Sequence, residues 1–199
     1  MSALGRAQRI GDVAQNDSKG AGTVMRIAPV AFLPRAEIGW TADAFSALTH
    51  AHATARDAAA AWALLLHDVA AGMHLEDAAR RITDREDNPE LSHALQKALR
   101  LPRDGSSMNV HQIGGGWVAE EAVAVALYAA LCAHNFEHGL RIAVTHSGDS
   151  DTTGSIAGNL LGLMFPDELR SHPWTANVEC RDIIHEVSVN LARSLAASP

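Results

Sequence analysis

The sequence predicts an all-α protein, and two observations support this. Across most of its 199 residues, apolar side chains recur three or four positions apart, which is the spacing of one face of a helix. Alternation of β-branched with polar residues, the pattern of a half-buried strand, is scarce. The helical segments are joined by short connections without a linker, so we expect a single domain over residues 1–199.

Start and stop signals divide the chain into successive helices. The helix Asp57–Ala71 is predicted to turn Trp62 and Leu65 inward. The short helix Leu75–Thr83 has acids in its first turn and arginines in its last turn, as the helix dipole favours. Pro89 suits the first position of a third helix. The other predicted boundaries are the end of that third helix before Pro102, and the helices Trp117–His134, Phe136–Val144, Thr152–Phe165 and Val178–Ala197.

Charge and composition exclude several classes of function. Sixteen Lys and Arg against 23 Asp and Glu give a net charge of −7, which disfavours nucleic acid and anionic membrane surfaces as partners. The longest apolar run, Ala122–Ala133, has twelve residues, too few to cross a bilayer, and no signal peptide is visible. Two cysteines, Cys132 and Cys180, cannot form a disulfide framework, so we expect buried free thiols and a cytoplasmic location.

Three glycine-rich segments stand directly before apolar helical segments. They are Ser18–Thr23, Gly114–Gly116 and Ser147–Gly154. Glycine lets the backbone approach a ligand closely, and the start of a helix offers free N–H groups at its positive end. Three such segments in one domain indicate an anionic or oxygen-rich ligand.

The third segment contains Asp149, Asp151 and Thr152, a cluster of hard oxygen donors suited to Mg²⁺ or Ca²⁺. The alternative interpretation is helix capping, in which Asp151 or Thr152 accepts a hydrogen bond from the next turn. The two roles are compatible. Gly154, Gly158 and Gly162 follow at four-residue spacing and predict a smooth stripe where another helix approaches closely.

Other residues allow a functional and a structural interpretation. His134 and His138 match the H-x-x-E-H order of one class of zinc peptidases, an alternative that would need a distant carboxylate to complete the site. His50 and His52 precede a helix, so that one of them faces a cleft or each is a capping or surface residue. Trp117 is either a core residue or a stacking platform for a base.

Four stretches in order resemble the ADP-ribosylglycohydrolase family, whose members include the dinitrogenase reductase-activating glycohydrolases and the J1 crystallins. The stretches are Asn16–Pro29, Leu48–His52, Gly114–Ala122 and Gly148–Thr152. The resemblance implies a compact orthogonal bundle of many helices. It also implies hydrolysis of the bond between the anomeric ribose carbon of ADP-ribose and a protein side chain or related acceptor.

The resemblance further implies a dinuclear Mg²⁺ site, with Mn²⁺ in some members, and assigns residues to it and to the substrate. The implied metal ligands are Asp149, Asp151 and Thr152, and the implied substrate contacts are Ser18, Gly20 and Gly22 at the diphosphate, His50 at the ribose or phosphate, and Trp117 at the adenine. The substrate partner is an ADP-ribosylated protein or an ADP-ribose conjugate.

The family also has an N-terminal segment with a Thr-Asp-Asp metal motif and a catalytic acid, and this sequence contains neither. The chain is therefore expected to be N-terminally truncated, the C-terminal portion of an incomplete domain. A separate N-terminal partner chain would complete it. Two hypotheses follow. The chain is a metal-dependent hydrolase, or it is a catalytically inactive remnant that binds ADP-ribose or has a structural role.

Overall fold

The computed structural model describes Arg9 and residues 11–196, and the regular elements of this part of the chain are all helices, which confirms the all-α prediction. The helices are α1 (Gly22–Met25), a 3₁₀ helix (Ala28–Phe32), α2 (Arg35–Ala47), α3 (Ala53–Ala70), α4 (Leu75–Thr83), α5 (Pro89–Arg100), α6 (Ser107–Ile113), α7 (Ala119–Cys132), α8 (Phe136–Val144), α9 (Ser150–Met164), α10 (Pro166–Ser171), α11 (Pro173–Ala176) and α12 (Arg181–Ala196).

Local capping explains where the well-predicted helices begin. Asn88 accepts hydrogen bonds from the N–H groups of Glu90 and Leu91, and Pro89 occupies the first turn of α5. Asn135 accepts from the N–H of His138 at 2.7 Å and starts α8. The ends of α4 and α8 agree with the prediction, and those of α5 agree closely.

The core is centred on α7 and α3. Every residue of α7 from Ala122 to Ala130 is buried, as the apolar sequence predicts. On α3, Trp62 and Leu65 are buried as expected. Each such side chain contributes about 1.5–3 kcal/mol through its burial. Because α7 is fixed along most of its length, the segment Gly114–Val118 that leads directly into it starts from a well-packed helix.

The three glycines of the α9 stripe are not all covered by one helix. A Cβ on Gly154 would lie 2.7 Å from Val144 Cγ1 of α8, and one on Gly162 would lie 3.0 Å from Leu169 Cδ2 of α10. A Cβ on Gly158 would meet nothing within 4 Å. The close approach of α8 at Gly154 is the contact that positions the start of α9.

The C-terminal helix differs from the prediction. It begins at Arg181 rather than Val178, directly after Cys180, whose φ of 58° lies in the left-handed region. Its predicted end at Ala197 lies outside the described residues. No residue of α12 is buried, and its apolar Ile183 and Val187 are each 61% exposed.

The expectation of two buried cysteines is wrong. Both thiols are free, but Cys132, the last residue of α7, is only half-buried, and Cys180, in the segment before α12, is exposed. Within residues 11–196, no helix has both the length and the apolar character that crossing a membrane requires.

Candidate functional site

The Asp149 loop, defined as residues 146–152, leads into the first turn of α9. Asp149 is the N-cap residue and is half-buried, Asp151 is exposed, and Thr152 is buried with its hydroxyl 3.5 Å from Met25 Sδ. The helix begins two residues before the predicted start. Capping by Asp151 or Thr152 is therefore wrong, and the side chain of Asp149 makes no capping hydrogen bond either. Its carboxylate lies close to the hydroxyl and the backbone N–H of Thr152, and both groups partly offset the rise in its pKa that burial causes.

The two acids of this loop act on one another. Burial raises the pKa of Asp149, the hydroxyl of Thr152 lowers it in part, and the adjacent carboxylate of Asp151 raises it further. Two carboxylates held this close repel one another, and a bound cation would relieve that repulsion. The donor set, two carboxylates and a hydroxyl, consists of the hard oxygens that Mg²⁺ and Mn²⁺ prefer.

The donor set is small. Among the described residues, no group of three or more His, Cys, Asp or Glu side chains is arranged to hold a metal ion. Two carboxylates and one hydroxyl are fewer than the six oxygen ligands that Mg²⁺ takes.

The ring of His146 fixes the Asp149 loop through three hydrogen-bond contacts, a role that the sequence did not predict. Its Nδ1 accepts a hydrogen bond from the N–H of Gly148 at 3.0 Å, so the ring proton of the neutral form lies on Nε2. Nε2 is 2.9 Å from both the carbonyl of Ala143 and the hydroxyl of Thr153. His146 thereby joins the end of α8 to the first turn of α9. Its position three residues before Asp149 is the one sequence signal that could have identified it.

The triple glycine packs its backbone directly onto the Asp149 loop. The carbonyl of Gly115 accepts a hydrogen bond from the N–H of Asp149 at 2.8 Å. A Cβ on Gly148 would lie 2.0 Å from that same carbonyl oxygen. Gly116 has a φ of 75°, and its N–H donates to Glu121 Oε2 at 3.1 Å. Side chains would not fit between these two backbones, so glycine is required here for packing.

The Ser18–Gly22 loop lies against the other side of the same segment. Gly20 forms an isolated antiparallel bridge with Val118, in which the N–H of Ala119 donates to the carbonyl of Lys19 at 2.9 Å. The side chain of Trp117, beside this bridge, is 65% exposed. Trp117 is therefore a surface residue and not a core residue, and its ring is free to stack.

His50 lies against the Ser18–Gly22 loop. Its Nε2 is 3.3 Å from the position of a Cβ on Gly20 and 3.8 Å from that of a Cβ on Gly22. Asn16 ties the two segments together, because its side-chain oxygen accepts from the N–H groups of Ser18 and Ala51 at 3.1 and 3.2 Å. The residues implied as substrate contacts thus come together around one glycine-rich loop.

The zinc-peptidase alternative is wrong. The rings of His134 and His138 stack face to face, with centroids 3.7 Å apart and an interplanar angle of 28°. They lie at the beginning of α8, and the part of the chain that the structure describes provides no third ligand to complete a site. The pair is a packing contact.

Lys19 lies within the glycine-rich loop but has a structural role. Its Nζ is 2.6 Å from Glu120 Oε1 and 3.0 Å from Glu90 Oε2. The side chain of Glu120 is 9% exposed, and its Oε2 has no hydrogen-bond partner within the described residues. The ammonium group is thus the main compensation for a buried carboxylate.

We expect Lys19→Met to destabilise the fold by about 3 kcal/mol, because it leaves the Glu120 carboxylate buried without its cation. Chemical denaturation measures the loss. Lys97→Met is the matched control, since Lys97 makes no ion pair in the described part of the chain, and it should cost much less.

The same pair predicts a pH dependence. The hydrogen bond to Glu120, partly offset by burial, raises the pKa of Lys19 above its ordinary value. The stabilisation is therefore present at neutral pH and is lost as the pH rises through that raised pKa. Equal stability losses in the two lysine variants at pH 7 would contradict this account.

The model of a family described as ADP-ribosylglycohydrolase matches residues 1–198. Among solved structures, a chain described as an ADP-ribosylglycohydrolase-related protein complex superposes with a TM-score of 0.81 at 25% sequence identity. The match covers 96% of this chain and 67% of that chain. No curated protein sequence matches significantly.

Proposed function

Because the chain belongs to the ADP-ribosylglycohydrolase family, we propose that it is a Mg²⁺-dependent hydrolase of ADP-ribosyl conjugates. Its substrates are proteins carrying ADP-ribose on a side chain, and related conjugates, whose N- or O-glycosidic bond it cleaves. The observation that supports this most directly is that the Gly115–Val118 segment contacts the Asp149 loop on one side and the Ser18–Gly22 loop, against which His50 lies, on the other.

Asp149, Asp151 and Thr152 would hold the cation, Mg²⁺ or Mn²⁺, in a site that is dinuclear in the family. When bound, the cation supplies positive charge that orients ribose hydroxyls and lowers the pKa of a bound water. Cleavage of a ribosyl bond passes through an oxocarbenium-like state, which nearby negative charge stabilises. Carboxylates that hold the cation have their own charge offset by it, so their part is to fix the cation, and the Gly115 backbone keeps the loop that carries them in place.

The substrate-binding groups would act on the nucleotide part. The N–H groups of Ser18 and Ala21 are already bonded, to Asn16 Oδ1 and to the carbonyl of Trp117. Contact with a diphosphate therefore depends on the amides of Gly20 and Gly22. The exposed ring of Trp117 would stack on the adenine.

The remaining metal ligands would come from water and from a partner. Three protein donors leave a six-coordinate cation half-filled. We propose that an N-terminal partner chain supplies further oxygens, and that the enzyme works in the cytoplasm, where its two free cysteines stay reduced.

A second candidate function is binding without hydrolysis. The small donor set favours it, because the described residues bring only two carboxylates to the loop. In this case the chain binds ADP-ribose around the Ser18–Gly22 loop and releases it unchanged.

One experiment separates these functions. The chain is incubated with Mg²⁺ and peptides ADP-ribosylated on arginine or serine, with and without a candidate N-terminal partner chain, and free ADP-ribose is measured by mass spectrometry. Calorimetry with ADP-ribose runs in parallel. Release supports the hydrolase, and binding without release supports the binding protein. The absence of both would refute the proposed function.

A further inference from the structure

His50 is connected to Arg26 through the hydroxyl of Thr49. The guanidinium Nη2 of Arg26 donates a hydrogen bond to Thr49 Oγ1 and another to the carbonyl of Phe45 at 3.1 Å. Thr49 Oγ1 lies 2.7 Å from His50 Nδ1. These contacts form an ordered series from a cation, through a hydroxyl, to one nitrogen of the imidazole ring.

The series favours one tautomer of His50. A guanidinium only donates, so Thr49 accepts from Arg26 and its single proton remains to be placed. Within the described residues, the one acceptor in reach of that proton is His50 Nδ1. If Nδ1 carried the ring proton instead, the hydroxyl proton would have no acceptor and the N–H dipole would point toward the Arg26 charge.

The surroundings of His50, including the charge of Arg26, also favour the neutral form of its ring. Burial lowers the pKa of His50, and the positive charge of Arg26 lowers it further. Both effects favour the neutral ring, and the hydroxyl of Thr49 favours a bare Nδ1 and a protonated Nε2. Nε2 is the atom that lies beside Gly20 and Gly22, and it makes no hydrogen bond to any described residue.

We infer that Arg26 and Thr49 are positioning residues that keep His50 as a neutral Nε2–H donor toward the Ser18–Gly22 loop. The ligand atom it recognises is an acceptor oxygen of a phosphate or a sugar hydroxyl. A protonated Nε2 can neither bind a metal ion nor remove a proton, so His50 is a binding group and not a general base. This inference rests on the proposed function only for the identity of the ligand.

The test uses the full chain labelled with ¹⁵N in its histidine rings. The resonances of His50 are assigned by their loss in His50→Gln, and they should show a bare Nδ1 and a protonated Nε2. In Thr49→Val the ring loses its hydroxyl partner, and the two nitrogens should become more alike as the tautomers interconvert. Thr49→Ser keeps the hydroxyl and should retain the wild-type spectrum.

Affinity for ADP-ribose, measured in the same variants, should fall about 2- to 10-fold in Thr49→Val, the effect of one weakened hydrogen bond. Thr49→Ser should restore it. Thr41→Val, in the helix α2 that precedes Thr49, is the matched control, since the Thr41 hydroxyl is buried without a partner among the described residues and its loss should change neither measurement.

The tautomer of His50 in the wild type and in Thr49→Val tests the inference. A protonated Nδ1 in the wild-type protein, or an unchanged spectrum in Thr49→Val, would overturn the inference. A fixed Nε2–H tautomer that Thr49→Val disrupts, in a protein that does not bind ADP-ribose, would support the positioning role while refuting the proposed ligand.

Discussion

Asp149→Asn should remove divalent-cation binding from a protein that remains folded. The amide keeps the size of the carboxylate but loses its charge, and a hard cation binds a neutral amide oxygen weakly. Partners that merely hydrogen-bond to metal ligands each contribute roughly 10- to 100-fold to affinity, so losing a ligand should cost at least about 100-fold. Hydrolysis of ADP-ribosyl peptides should be lost with it.

The measurement is the thermal midpoint with and without Mg²⁺. At a concentration 100 times Kd, a cation that binds only the folded state adds about 2.7 kcal/mol, which raises Tm by roughly 5–10 °C for a chain of this length. Asp149→Asn should show no such rise. Asp77→Asn, which removes an exposed acid from the first turn of α4, should keep the full rise.

The metal-free stability of Asp149→Asn provides a second check. The pKa of Asp149 is raised by burial and by Asp151, so its charged form costs the fold stability at neutral pH. Removing that charge should leave the metal-free variant at least as stable as the wild type. A variant that unfolds would show that Asp149 serves the fold. A variant that keeps the Mg²⁺ response would show that Asp149 does not hold the cation.

Gly148→Ala should have the largest effect on the fold of any single methyl group added to this loop. The new Cβ would lie 2.0 Å from the carbonyl oxygen of Gly115 and 2.7 Å from its carbonyl carbon. Both are backbone atoms that cannot rotate away, so the loop has to separate from the triple glycine. We expect a loss of about 3 kcal/mol or more, at the upper end of what overpacking costs.

Thermal unfolding measures this effect, and a loss of that size corresponds to a Tm decrease of roughly 6–12 °C. Gly158→Ala is the matched control on α9, because its Cβ meets nothing within 4 Å. A glycine-to-alanine change in a helix stabilises by roughly 0.5–1 kcal/mol, so this control should move Tm upward. Similar midpoints for the two variants would mean that the backbone contact is not as close as described.

Local signals accounted for the helices that the sequence predicted well. The ends of α4 were predicted from charges placed along the helix dipole, the start of α5 from Pro89 and its end from Pro102. In contrast, α2 was not predicted, because Trp40 and Phe45 are 64% and 52% exposed and obscure the division into an apolar and a polar face. The start of α12 depends on the backbone at Cys180, which no residue pattern announces.

In the candidate site, too, features set by local sequence were predicted and features set by tertiary contacts were not. The glycine segments and the Asp149–Asp151 pair were visible because few residue types serve those purposes at those spacings. His146 was not, since its role depends on the end of α8 meeting the start of α9, a tertiary contact. The connection of His50 to Arg26 likewise joins side chains 24 positions apart in the sequence.

The contact between the Gly115 carbonyl and the Asp149 amide also has a thermodynamic consequence. The loop loses its conformational freedom when the protein folds and not when a cation arrives, so occupancy carries little additional ordering cost. The geometry of the Asp149 loop then depends on how the buried residues of α7 pack. A cavity-forming change such as Val123→Ala, distant in sequence from both acids, would therefore lower the affinity for the divalent cation in a protein that is still folded.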